Sequence, residues 1–280
     1  MRIKITADST CDLSQELMEK MDVTIAPLTI LRGEEALRDG LEIGPEDVFA
    51  YTGNTGKLCK TAAVNQEEYE ELFRRMREEY DAVIHVNISA EFSSCYQNAK
   101  RAAEKLEQVY VVDSRNLSTG SGHLVLEAWD RIQAGMDAAQ IYRELCELTE
   151  KIEASFVIDT LEYLHKGGRC SSVAALGANL LKLKPCIEVR EGKMLVGKKY
   201  RGNFDRCILQ YVEDRLKGRD DLRPGRIFIT HTGCAPDLVE QVRKTILRLA
   251  PFEEIIETRA GCTVSSHCGP NTLGILFIRK

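Results

Sequence analysis

Short apolar runs alternate with amphipathic stretches through the first half of the chain. Ile3 to Thr6, Ala82 to Val86 and Val109 to Val112 each lead into a Ser- or Gly-rich segment. Between them, Gln66 to Tyr80 sets Glu and Arg on one face, and Ser94 to Leu106 places Tyr96, Ala99, Ala103 and Leu106 at helical spacing. This order predicts βα units whose crossover helices cover a mainly parallel sheet. Near Gly135 the pattern changes: a helix from about Asp137 to Lys151 precedes the apolar run Ala154 to Ile158, and we place a domain boundary there, giving units 1–150 and 151–280. The second unit reads as a strand, the turn Lys166-Gly-Gly-Arg169, a helix from about Ser171 to Leu183, and a hairpin-like pair, Cys186 to Arg190 and Met194 to Lys199. A helix from about Asp205 to Lys217, a strand Arg226 to Thr230, a helix Pro236 to Leu249 and strand candidates Glu254 to Arg259 and Thr272 to Ile278 complete it. The expected fold is α/β in two domains, an amino-terminal three-layer α/β/α unit with a mainly parallel sheet and a carboxy-terminal α/β unit with a mixed sheet.

Composition narrows the function. With 280 residues, 44% of them hydrophobic, the chain is long enough for two cores, and its formal charge of −5 argues against a nucleic-acid partner. The amino terminus runs directly into a strand-like alternation without a signal core, and no stretch reaches the length of a membrane span, so a cytoplasmic location is expected. The ten cysteines are scattered without a Cys-x-x-Cys pair, which reads as reduced, apolar thiols and not as a metal or redox site. Cys262, His267 and Cys268 lack the second paired motif that a zinc site needs, so no metal and no cofactor are expected.

Candidate chemistry collects where an open parallel sheet places ligands, at the carboxyl ends of its strands. Thr6 to Thr10, Asn87 to Ser94 and Asp113 to Gly122 are three hydroxyl-rich loops that converge on one edge. Hydroxyls beside the free amides of a helix start make a directional site for a carboxylate or a phosphate. Ser93 is the best placed, and the same position suits a plain helix cap. Gly120-Ser-Gly122 lacks the Lys-Ser/Thr of a phosphate loop and reads instead as close packing of a helix start. No Gly-x-Ser-x-Gly occurs, which argues against serine catalysis. His267, in the turn-like segment Ser265 to Pro270, either aims an imidazole at the domain interface or makes a structural hydrogen bond. The helix Val173 to Leu183 is apolar on nearly every side, and its small residues Ala174, Gly177 and Ala178 either leave room for an acyl chain or pack a core. From Lys182 to Arg206, eight Lys and Arg stand against three acids, a local basic face that either solvates a hairpin or docks an acidic partner.

Several segments together resemble the DegV family of bacterial fatty-acid-binding proteins: Thr6-Ala-Asp-Ser-Thr-Cys-Asp-Leu13, Phe92-Ser-Ser-Cys-Tyr-Gln-Asn-Ala99, Val112 to Gly122, Leu161-Glu-Tyr-Leu-His-Lys-Gly-Gly-Arg169 and His267-Cys-Gly-Pro270. The match runs in order along nearly the whole chain. It implies one bound long-chain fatty acid whose carboxyl group is held by Thr61 and Ser93, with Ser94, Arg169 and His267 as head-group neighbours. It also implies a carrier without catalysis of its own that presents the acid to a separate fatty acid kinase, with Arg201 steering that partner. The alternative class is an enzyme or binding protein for a small phosphorylated or carboxylate metabolite. The chain departs from the family pattern at Ala62-Ala-Val64, where hydroxyl and amide groups are usual, at Ser94-Cys95 in place of Gly-Thr, and at Asn271.

Overall fold

A computed structural model of the protein describes residues 1–174 and 183–280. The first half contains strands β1 (Ile3–Asp8), β2 (Thr24–Ala26), β3 (Thr29–Arg32), β4 (Glu35–Arg38), β5 (Lys60–Ala62), β6 (Ala82–Asn87) and β7 (Val109–Asp113). Its helices are α1 (Gln15–Lys20), α2 (Pro45–Thr55), α3 (Gln66–Glu79), α4 (Cys95–Ala103), α5 (Thr119–Gln133) and α6 (Ala138–Leu148). Four strands pair in the order β2-β1-β6-β7, all parallel. Every residue of β6 is buried, as expected of a central parallel strand covered on both faces. The covering helix α3 starts where Asn65 and Glu68 form a capping box, and it turns Tyr69, Leu72, Phe73 and Met76 inward at helical spacing. A second, antiparallel sheet of three short strands, β4-β3-β5, stands apart and carries Thr61.

The second half contains β8 (Ile152–Ile158), α7 (Glu162–Gly167), α8 (Ser171–Ala174), β9 (Leu183–Arg190), β10 (Lys193–Arg201), α9 (Phe204–Leu216), β11 (Leu222–His231), α10 (Pro236–Leu249), β12 (Glu254–Arg259), α11 (Cys262–Cys268) and β13 (Thr272–Arg279). Its six strands run β10-β9-β8-β13-β11-β12, with β11 and β12 parallel and the other pairs antiparallel, a mixed sheet. Helix α5 lies between this sheet and the parallel one, buried from Thr119 to Ala128. Its glycines allow that approach: a Cβ on Gly122 would sit 2.8 Å from the Cys11 carbonyl oxygen. Gly120-Ser-Gly122 is therefore a packing device.

Two expectations are corrected. Leu183 does not end a helix but opens β9, paired antiparallel with β10. Residues 175–182, which include Gly177 and Ala178, lie outside the described residues, while Ala174 ends α8. Ser265 to Cys268 is not a turn but the second half of α11. The composition of that segment, rich in Ser and ending in Gly-Pro, argues for a turn; caps supplied from the other half of the chain make it a helix. All ten cysteines are free and only Cys146 is exposed. Among the described residues no cluster of His, Cys, Asp and Glu could hold a metal, and no helix is long and apolar enough to cross a membrane.

Candidate functional site

Helix α11 has no side-chain cap of its own. Two carboxylates from the first half supply one. Asp39 accepts from the amides of Cys262 (2.9 Å) and Thr263 (3.1 Å) and from the Thr263 hydroxyl (2.6 Å). Asp12 accepts from the amide of Gly261 at 2.8 Å and from the Ser118 hydroxyl at 2.5 Å. Acidic groups at a helix start are favoured by its unpaired amides and by its dipole. Burial pushes the Asp12 carboxyl up to about 8, against the lowering effect of its Ser118 and Gly261 bonds. These caps fix the helix that carries His267 at its other end.

His267 Nε2 lies 2.9 Å from Thr61 Oγ1, joining α11 to the small sheet. Helix α7 closes over the other ring nitrogen, because Gly167 comes so near that a Cβ there would run into Nδ1. Gly168, at φ +69°, then ends α7 in the left-handed conformation. Burial, and next the Arg169 charge, push the imidazole down to about 4, so it is neutral at pH 7.

Ser93 sits just before α4. Its Oγ accepts from the Cys95 amide at 3.2 Å and donates to the Cys95 sulfur at 3.2 Å. The expected cap is thus made, while the hydroxyl proton rests on a thiol, a weak acceptor. Behind it the strand ends are tied by Asp8, which accepts from the amides of Thr10 (3.0 Å) and Ile88 (2.7 Å). Burial raises the Asp8 carboxyl above its usual range, opposed by those bonds.

Thr61 and Ser93 line one cavity of about 120 Å³, with Ser94, Arg169 and His267 beside them. Its remaining wall is largely apolar, including Leu28, Ile88, Phe92, Leu117, Met194 and Val264. The other face of the Thr61–His267 pair opens into a groove of about 720 Å³, lined by Lys57, Lys60, Lys166, Arg169 and Ser266. Five of the sequence-predicted head-group residues thus meet at one place. Arg201 does not join them: it ends β10, exposed, and lines neither cavity. Four cations of the basic hairpin are engaged locally, Lys184 with Asp159, Arg190 with Glu188, Lys193 with Glu91 and Lys198 with Asp214. Sequence reasoning missed Asp12 and Asp39, whose partners on α11 lie more than 200 residues away in the chain.

The cavity is thus apolar over most of its wall, with a few hydroxyls at one end, where residues of the parallel-sheet half meet residues of the mixed-sheet half. The family model described as "Uncharacterised protein, DegV family" matches residues 2–280, and the chain belongs to the DegV family. A fatty acid-binding protein of Thermotoga maritima is 28% identical, with 98% of this chain and 96% of that protein covered. A solved structure of a fatty-acid-binding DegV family protein from Thermus thermophilus superposes with a TM-score of 0.90 at 29% identity, covering 100% of both chains. A stearic acid-binding protein from Eubacterium ventriosum superposes with a TM-score of 0.87 at 26% identity, covering 99% of this chain and 98% of that one.

Proposed function

We propose that this protein binds one long-chain fatty acid in the cavity between the halves and presents its carboxyl group to a separate fatty acid kinase. In this reading residues 1–150 form the domain that grips the carboxylate and residues 151–280 the one that covers the acyl chain. The observation that carries it is the state of the two hydroxyls. Ser93 holds its proton against a sulfur, and with the imidazole proton on Nε2, His267 donates to Thr61 and leaves the Thr61 proton free. Both protons are available to a stronger acceptor, and both face an apolar cavity suited to an alkyl chain. Arg169 adds a positive charge at the rim, and the described cavity accepts the head of the chain. The relatives described as fatty-acid-binding support the same ligand. The kinase step and a cytoplasmic carrier role without catalysis follow from the family resemblance.

Native mass spectrometry of protein purified without added lipid is expected to show an adduct of fatty-acid mass; nucleotide alone would overturn the reading. The carboxylate grip is tested separately. Thr61→Ala combined with Ser93→Ala removes hydrogen bonds to a charged group worth about 1.5–3 kcal/mol each. The double variant should fold normally and lose at least tenfold in affinity in a fluorescent fatty-acid displacement assay, roughly what 1.4 kcal/mol represents. Unchanged affinity would end the grip as proposed.

A further inference from the structure

The wide groove on the far side of the Thr61–His267 pair differs from the cavity in the charge that it carries. It sets Lys57, Lys60, Lys166 and Arg169 beside the apolar Leu31, Tyr51 and Leu58, and among the described residues no acidic one lines it. Among the described residues, Lys166 alone of these pairs with an acid, Glu162 at 2.7 Å; Arg169 donates only to the Gly167 carbonyl of its own loop. Four cations, three of them without an acidic partner among the described residues, make a local reversal of sign inside a chain of net charge −5. Exposed lysines alone would describe a solvated surface. The groove's lining adds a second observation: Ser266, only 2% exposed, has a hydroxyl with no hydrogen-bond partner among the described residues. A buried hydroxyl left unpaired costs free energy that an oxyanion in the groove would recover. The volume of about 720 Å³ exceeds the needs of a single phosphate and lies within the range of whole-ligand sites.

We propose that this groove is a binding site for a polyphosphate chain, seated on Lys57, Lys60, Lys166 and Arg169 with Ser266 in its lining, next to the carboxyl group held in the adjoining cavity. The proposal rests on the fatty-acid reading for what lies next door, and on the groove's own residues for its charge. It assigns the phosphate contacts to this chain itself. The phosphates can come as inorganic polyphosphate or as the phosphate chain of a nucleotide, and the same cations would recognise either.

The full-length protein, titrated calorimetrically with inorganic tripolyphosphate and in parallel with ATP, tests this. One saturable site per chain is expected for tripolyphosphate, weakening as salt screens the lysines. Lys57→Gln with Lys60→Gln should lower that affinity by about tenfold or more while fatty-acid displacement stays at the wild-type value, because two charge-assisted contacts are lost. Ser266→Ala, a smaller change, should weaken it by a few-fold, the scale of one hydrogen bond. Absence of saturable tripolyphosphate binding overturns the proposal. So does binding that the lysine variant leaves unchanged, which would place the anion elsewhere, and so does ATP binding without tripolyphosphate binding, which would mean recognition of the nucleoside. If tripolyphosphate binds and fatty acid does not, the fatty-acid reading falls and this one stands.

Discussion

Two concavities of similar size are lined by cations, and they differ in what those cations already hold. The one of about 610 Å³ at the junction of the halves is lined by Arg115, Arg190, Arg215, Arg219 and Arg279. There Glu153 is ringed by guanidinium groups: Arg215, Arg219 at 2.8 Å and Arg279 at 3.7 Å. Glu188, also nearly buried, takes Arg190 and Arg215. Among the described residues, the groove of about 720 Å³ beside His267 has no carboxylate in its lining. Positive charge alone therefore does not make a site. In the first concavity it is spent on tying β8, α9 and β13 together; in the second it is left for a guest.

The sharpest test of that contrast is stability. Glu153→Gln strands Arg215 and Arg219 without their shared partner and should cost about 3 kcal/mol by denaturant unfolding, the scale of a broken, largely buried ion-pair network. A third kind of acidic group, the buried Asp12 carboxyl held by an amide and a hydroxyl, should be read out by pH. Burial holds the Asp12 carboxyl up at about 8 in the folded protein, against the ordinary carboxylate value when unfolded, so its contribution to stability is full below that ordinary value and is lost progressively as pH rises to about 8. Asp12→Asn should flatten the fall of stability between about pH 4 and 8, a slope of at most one proton, about 1.4 kcal/mol per pH unit. Three histidines act in the opposite sense over the acid part of that range: burial pushes His85 down to about 3 and His123 and His267 to about 4. Their stabilising contribution is lost as pH falls below about 6.5 and through those values.

Gly167→Ala should act on the ligand more than on the fold, by forcing His267 away from Thr61; fatty-acid affinity is expected to fall by about tenfold, roughly 1.4 kcal/mol. The smallest effect belongs to the uncommitted cations. Lys57→Gln with Lys60→Gln should leave unfolding free energy within about 0.5 kcal/mol of wild type, as for surface residues without partners. A loss comparable with that of Glu153→Gln would erase the distinction between the two concavities.

Legibility in the sequence followed the same division between local and distant causes. The parallel sheet could be read because β1, β6 and β7 are apolar runs followed by hydroxyl-rich loops, and α3 because its cap and buried face lie within one continuous segment. Ser93 could be read as a cap, since the amide it satisfies is two residues away. Thr61 could not: β5 is three residues long, too short for alternation to show, and its sheet is built from equally short strands. Family resemblance alone selected it. The helix at His267 was hidden for a different reason, because its caps, Asp12 and Asp39, come from the opposite half of the molecule.

That last feature sets the order in which the site can be built during folding. The Gly261–Asp12 bond closes a span of 249 residues, and the seven residues of α11 are too few to hold a helix in isolation. Contacts of such range form late, after the local ones have reduced the cost of closing the chain. The parallel sheet can assemble while the carboxy-terminal half is still emerging, but His267 meets Thr61 only after the end of the chain has come back to its beginning. In a refolding experiment, secondary structure should therefore return first and ligand capture last.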